Sequence, residues 1–504
     1  MTGEGCGRRQ FLSAGLGLAG LALSRRPVFG ACAPFSDQAA ACPPVSWMDG
    51  GRSIVEGYAG RRSYEAGERV SFFMSSQSRV RAMIEVSRLG ARREKVWSGP
   101  VWVEPKVIPA DASESGCMWD GEEGGELSFD VPIEWNPGFY HVTMHASSGD
   151  GEGFFIVRPR RSDRKSGILL ILSTNTYFAY NNYGAAQGNA LRSTHGSFYD
   201  QARVASFHRP LPLGFLSPYD CRKTGMPSRH QRYAGWDKWE WPFVRWAERA
   251  GIALDYAANE DLEWQPDLLE SYRLILSVGH DEYWSASMRN AVERYVRQGG
   301  NAVFLSGNVA YRRVRLGLSD SRMILDGEMD GDALWSHLHG ANRPEHRLTG
   351  VSFCYGALNP APVPYRIYQP DHWLFDGLWP AGGRPDRFPE VGCIGYECDG
   401  CDIKWDKGVP TASHRDGCPD DFQILGLAPG RMPDYEAAVH SRALFDRDDG
   451  FTPWGADLRR GAAVMGIWTN GGTVVTVGCT EWARHLDDPL VSQITRNALA
   501  KLSQ

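Results

Sequence analysis

The run Leu274-Ile275-Leu276-Ser277-Val278 constrains the fold of this chain more than any other segment. A nearly unbroken apolar stretch of this length predicts a strand covered on both faces. It breaks at Gly279-His280-Asp281-Glu282-Tyr283-Trp284-Ser285 into apolar positions at helical spacing: Met288, Ala291, Val292, Tyr295 and Val296. A strand that feeds a helix places the loop between them at the carboxyl edge of a sheet, where open α/β sheets bind ligands. His280 and Glu282 lie in that loop. An imidazole and a carboxylate two positions apart there suit metal binding or proton transfer.

The same alternation recurs from Gly167 onwards. Ile168 to Leu172 is a continuous apolar run, Trp239 to Ala250 has a helical pattern, and Leu254 to Ala257 and Ala302 to Leu305 read as short strands. Ala463 to Trp468 and Val474 to Val477 flank Asn470-Gly471-Gly472 as a hairpin, and Asp488 to Leu502 reads as a closing helix. Alternating strands and helices predict a parallel sheet with right-handed crossovers. From Arg52 to Arg158 the pattern has period two instead, with turn residues and no helical stretch, which predicts a β-sandwich of Ig-like size. The expected fold class is therefore α/β. A sandwich over residues 45–160 precedes a larger domain over residues 166–504 with a mainly parallel, glutamine-amidotransferase-like or flavodoxin-like sheet. The Pro- and Gly-rich stretch of about 311–460 is expected to be a long insertion on that sheet.

Apolar residues make up 42 % of the 504 and charged residues 23 %, which excludes a disordered chain. The net charge of -6, with signs interspersed, argues against a nucleic-acid partner, because phosphate binding needs a concentrated basic patch. Residues 1–42 read as a twin-arginine-type signal peptide and tether. Arg8-Arg9-Gln10-Phe11-Leu12 precedes a small apolar run from Ser13 to Ser24 that is too short to span a bilayer. That predicts an exported, periplasmic protein, cleaved near Ala31 or Ala41 or anchored by lipid at Cys32 or Cys42. No other segment reads as transmembrane. Cys398 and Cys401 have the spacing of half a zinc site, but no second half is in view, so a structural pair or free thiols is expected.

Asn308 ends the strand after the His280 loop, so its amide is expected in the same crevice, as a donor to a developing oxyanion. The first strand of this region runs into Tyr177, Tyr180 and Tyr183, and Tyr199 follows. Read plainly, these are packing residues of a lid loop. Read as ligands, they need a strongly Lewis-acidic partner, because a free phenol ionises only near pH ~10. Hard anionic oxygens suit ferric iron better than zinc or copper. The acidic run from Asp326 to Gly331 lacks the closing Glu of a calcium loop, and there is no Gly-x-Ser-x-Gly elbow or Walker loop.

Five blocks carry a resemblance: Gly279 to Ser285, Gly299-Gly300-Asn301, Leu305-Ser306-Gly307-Asn308, Gly395-Tyr396-Glu397-Cys398-Asp399-Gly400 and Thr480-Glu481-Trp482-Ala483-Arg484. In these blocks the chain resembles the large subunit of N,N-dimethylformamidase and its relatives. The resemblance implies a hydrolase of amide or formamide-like C–N bonds with a mononuclear Fe(III) held by two tyrosinates and a glutamate. Tyr180, Tyr199 and Glu282 are the implied ligands, with Tyr177 a competitor to Tyr180. His280, Asn308 and Glu397 are the implied catalytic partners. A small amide is the implied substrate, and a small subunit or a second copy of the chain the implied partner. The competing expectation is an exported, non-catalytic module that binds glycans or a protein.

Overall fold

The computed structural model describes residues 55–504, apart from 121–123, 161, 163–165, 184–195, 201, 220–227, 229, 318–320, 328–330 and 380–389. The signal-peptide reading with Cys6, Cys32 and Cys42, Cys221, and the centre of the acidic run lie outside the described residues.

The period-two stretch forms two sheets. Val55–Ala59, Arg69–Ser76 and Glu126–Asp130 make one, and Ser63–Glu65, Val80–Leu89, Arg93–Val103, Gly138–Ala146 and Gly149–Arg158 make the other. Phe72 and Met74 of the first pack with Ile84, Val86, Val142 and Phe155 of the second in one fully buried core. Two buried ion pairs tie these sheets to the rest of the protein: Arg62 to Glu260 at 2.7 Å and Arg158 to Asp261 at 3.3 Å.

The remainder is organised by a nine-stranded sheet. Its strands are β1 (Ile168–Leu172), β2 (Asp255–Ala258), β3 (Leu274–His280), β4 (Asn301–Gly307), β5 (Ser352–Ile367), β6 (Glu390–Gly400), β7 (Gln423–Pro429), β8 (Ala462–Asn470) and β9 (Gly472–Thr476). Their spatial order is β2-β1-β3-β4-β9-β8-β7-β5-β6. The pairings from β2 to β9 are parallel. Those from β9 to β6 are antiparallel.

This corrects the expected mainly parallel, flavodoxin-like sheet. The described chain is richer in strand than in helix, and its central sheet is mixed. The stretch expected as an insertion supplies three of the nine strands. The cause is visible in β5, whose pairing with β6 shifts register three times between Ser352 and Tyr365. Two of these shifts are by an odd number of residues, and each of those moves the apolar set to the opposite face, so no single period survives along the strand.

Irregularity also lets the antiparallel half curl. The end of β6 returns to the segment just after β9, where Cys398 faces Cys479 in an isolated antiparallel bridge. Asp399 N donates to Gly478 O at 3.0 Å and Thr480 N to Glu397 O at 3.2 Å. Gly307, the last residue of β4, has no room for a side chain at this closure. A Cβ there would stand 2.7 Å from Glu397 O and 2.8 Å from Thr480 N. Helices cover the parallel half. Ala286–Arg297 starts on Ser285, whose hydroxyl accepts from Met288 N at 3.2 Å. Pro489–Leu502 starts on Asp488, which accepts from Leu490 N at 2.7 Å, so both starts are capped by side chains. Among the described residues no helix is long and apolar enough to cross a membrane.

Candidate functional site

The site is assembled at the carboxyl ends of β1, β3 and β4, closed by the returning end of β6. After β1 a short helix, Thr174–Ala179, ends at Tyr180. Its Thr176 hydroxyl accepts from Glu282 N at 3.0 Å, and Asn175 Nδ2 donates to Tyr283 O at 2.9 Å, so this helix fixes the loop after β3. Asp281 holds the same loop from beneath, accepting from Ser277 Oγ at 2.9 Å and Asn259 Nδ2 at 3.2 Å. The segments after β3 and β4 are stitched together. Ala310 N donates to Asp281 O and Arg312 N to Glu282 O. Beyond them Tyr283–Ser285 pairs in parallel with the Arg312–Leu316 strand.

This scaffold brings Tyr180, Tyr199 and Glu282 together. The Tyr180 and Tyr199 hydroxyls are 2.7 Å apart. Tyr180 Oη lies 3.1 Å from Glu282 Oε2, and Tyr199 Oη lies 3.0 Å from both carboxylate oxygens. Tyr180 and Glu282 are buried, while Tyr199 is 39 % exposed with its hydroxyl turned inward to Glu282. Tyr177 is not part of the cluster; it is fully buried and its hydroxyl is beside Glu240.

Beside this oxygen cluster lies a second group. His280 Nε2 is 2.7 Å from Glu397 Oε2 and 3.3 Å from Glu282 Oε2. His280 Nδ1 contacts Tyr233 O at 2.7 Å, which fits an N–H donor there. Asn308 Nδ2 is 3.2 Å from Glu397 Oε2 and 3.4 Å from His280 Nε2. All six residues marked in the sequence therefore meet in one place.

The electrostatics divide the site. Burial, then the Glu282 charge, raises both phenols well above their ordinary value. Left to these neighbours both phenols stay protonated, even with the Arg312 guanidinium pulling the Tyr199 hydroxyl the other way. Burial opposes ionisation of Glu282, but His280 and Arg312 outweigh it and hold its carboxyl below the usual range. Burial likewise opposes protonation of His280, and the charges of Glu397 and Glu282 overcome it, so the imidazolium is favoured.

Three residues to which the sequence assigns no role also belong to the site, two of them, Tyr396 and Asp399, within a block that carries the resemblance. Arg312 Nε donates to Glu282 Oε1 at 3.0 Å. Asp399 accepts from Asn308 N at 2.8 Å and Val309 N at 3.4 Å, and burial pushes its carboxyl up to about 7. Tyr396 stacks on Tyr233 with centroids 5.0 Å apart, walling the approach to His280. Its φ of 47° joins those of Asn308 (54°) and Ala310 (51°) in the left-handed region, strain that clusters at this site. An Arg pair after a strand end was the only available signal for Arg312; for the others, closure of the sheet is needed.

The remaining metal candidates do not assemble. Among the described residues no three His, Cys, Asp or Glu side chains are grouped to hold a metal ion. Cys398 and Cys401 sit in different cores, and both are free thiols, as are Cys117, Cys354, Cys418 and Cys479. His337 and His339, whose spacing in the sequence could suit a metal but supplies no third ligand, face separate aspartates, Asp332 and Asp446.

Comparison with known proteins decides the family. The family model described as N,N-dimethylformamidase beta subunit-like, C-terminal, matches residues 83–497. The chain belongs to this family. Two N,N-dimethylformamidase beta subunits align with it, one from Paracoccus aminophilus at 29 % identity over 222 residues and one from an Alcaligenes species at 28 % over 220. Each alignment covers 39 % of this chain and 28 % of the relative, so the chain matches well under half the length of these subunits. The sporulation control protein Spo0M of Bacillus subtilis aligns over 22 % of this chain and 50 % of its own, at 13 % identity and a TM-score of 0.16, too slight an overlap to inform on fold or function.

Proposed function

We propose that this member of the dimethylformamidase beta-subunit-like family hydrolyses the C–N bond of small amides or formamides at the site described above, with ferric iron held by Tyr180, Tyr199 and Glu282. The observation that carries the reading is the convergence of three hard oxygen donors within 3.1 Å of one another, beside a separate His280–Glu397–Asn308 group. The donor set fits the ion. Two phenols that burial keeps protonated gather on one carboxylate, and a trivalent cation is the partner that lets them ionise.

Bound there, ferric iron supplies Lewis acidity toward the amide carbonyl. The chain supplies the rest. Asn308 Nδ2 donates toward the carbonyl oxygen as charge develops on it. Glu397 accepts a proton from the attacking water at Oε2, steadied by His280 Nε2–H. The same carboxyl then returns that proton to the amine nitrogen as the C–N bond breaks, leaving a carboxylic acid and an amine. Tyr233 O keeps the His280 ring in place throughout. Both aligned relatives are named as beta subunits, which supports assembly with a second subunit or a second copy of the chain.

The test is metal analysis with turnover of a panel of formamides and acetamides. Iron-replete protein is expected to carry about one iron per chain, to be coloured by tyrosinate-to-iron charge transfer, and to release amine. Colourless, iron-free protein from an iron-supplemented culture contradicts the reading.

A further inference from the structure

We infer that Arg312 is a positioning residue for the iron ligands: it takes one oxygen of Glu282 and leaves the other to the tyrosine pair. The inference rests on the iron reading above. Glu282 is used unequally on its two sides. Oε1 receives Arg312 Nε at 3.0 Å, while Oε2 faces Tyr180 Oη at 3.1 Å and His280 Nε2 at 3.3 Å. Tyr199 Oη is 3.0 Å from both oxygens and bridges the two sides.

Arg312 has little freedom to leave. Its own N–H donates to Glu282 O at 3.0 Å, so main chain and side chain grip the same residue. Only 8 % of its side chain is exposed, and the guanidinium lies 5.0 Å from the Tyr311 ring centroid. Tyr311 is anchored in turn by a 2.8 Å hydrogen bond to His440 Nε2. A buried guanidinium with this support is a planar, directed donor, which a lysine ammonium does not reproduce. Two consequences follow. The carboxylate is pre-aimed, which slows loss of the ion. The guanidinium charge held against Oε1 also weakens donation by Glu282 and leaves the ion more Lewis-acidic.

Full-length Arg312→Gln and Arg312→Lys proteins, loaded with iron, test this through two readouts other than turnover. These are the position of the tyrosinate-to-iron band and the rate of iron release to a chelator. Arg312→Gln removes charge and direction together. Its band is expected at shorter wavelength and its iron release about 10-fold faster or more, the range for losing a partner behind a metal ligand. Arg312→Lys keeps the charge alone; its band is expected near the wild-type position with release still several-fold faster. Arg312→Gln with wild-type band and release overturns the role of Arg312 while leaving the iron reading intact. A wild type without the band removes both. Should Arg312→Gln fail to fold by circular dichroism, Arg312→Lys decides: faster release supports the inference and wild-type release overturns it.

Discussion

The two halves of the central sheet contribute differently to the same site. The parallel half delivers Tyr180, His280, Glu282 and Asn308 from the ends of adjacent strands, where the topology alone makes them neighbours. The antiparallel half delivers Glu397 and Asp399, and only because β6 curls back to meet the segment after β9. The first set is placed by a local rule and the second by closure of the sheet. On the proposed reading the division is also chemical, since the parallel half holds the ion and the antiparallel half contributes the proton-carrying carboxylate.

If that division holds, substitutions on the two sides separate metal from turnover. Glu282→Ala, on the parallel side, is expected to abolish iron content, colour and hydrolysis together, read by metal analysis and visible absorbance. Glu397→Gln, on the antiparallel side, should keep iron and colour while hydrolysis falls by about 10²–10⁴, the usual contribution of a positioned acid–base group. Loss of iron in Glu397→Gln would merge the two halves into one functional unit. Gly307→Ala strikes the seam between them. Its new methyl meets backbone on both sides, and urea unfolding is expected to show a loss of about 1–3 kcal/mol. A neutral result would mean that the closure is looser than the contacts at Gly307 require.

The smallest expected effect is on pH dependence. Burial pushes the Asp399 carboxyl up to about 7, so the folded state holds this proton more tightly than the unfolded chain, where the carboxyl ionises near ~4. Stability from this group is therefore greatest in acid and falls as pH rises from about 4 to about 7. Asp399→Asn keeps the side chain's shape without the titration. Its unfolding free energy should fall less steeply over that window than the wild type's. Parallel pH profiles would show that Asp399 does not titrate there.

The comparison also explains what the sequence could reveal. Leu274 to Val278, Ile168 to Leu172 and Ala302 to Leu305 are short apolar runs, and each forms a parallel strand because covered strands need no alternation. Once those strands were placed, the loop carrying His280 and Glu282 and the end carrying Asn308 were fixed as neighbours by topology. Tyr180, Tyr199 and Glu397 came from family resemblance, and the structure brings all three to the same rim. The antiparallel half escaped for the opposite reason. The register shifts in β5 erase the period that marks a strand, and nothing local shows that β6 returns to β9. The sequence assigns no role to Arg312 or Asp399, because their partners, Glu282 and the Asn308 backbone, lie 30 and 91 residues away.

On the proposed reading Tyr180 and Tyr199 bind iron as phenolates at this rim. Resonance Raman of the iron-loaded protein, excited within its visible band, tests it most directly. Tyrosinate ring modes are expected that weaken in Tyr180→Phe and in Tyr199→Phe and vanish in the double variant. Undiminished tyrosinate modes in the double variant, or none in the wild type, would contradict it.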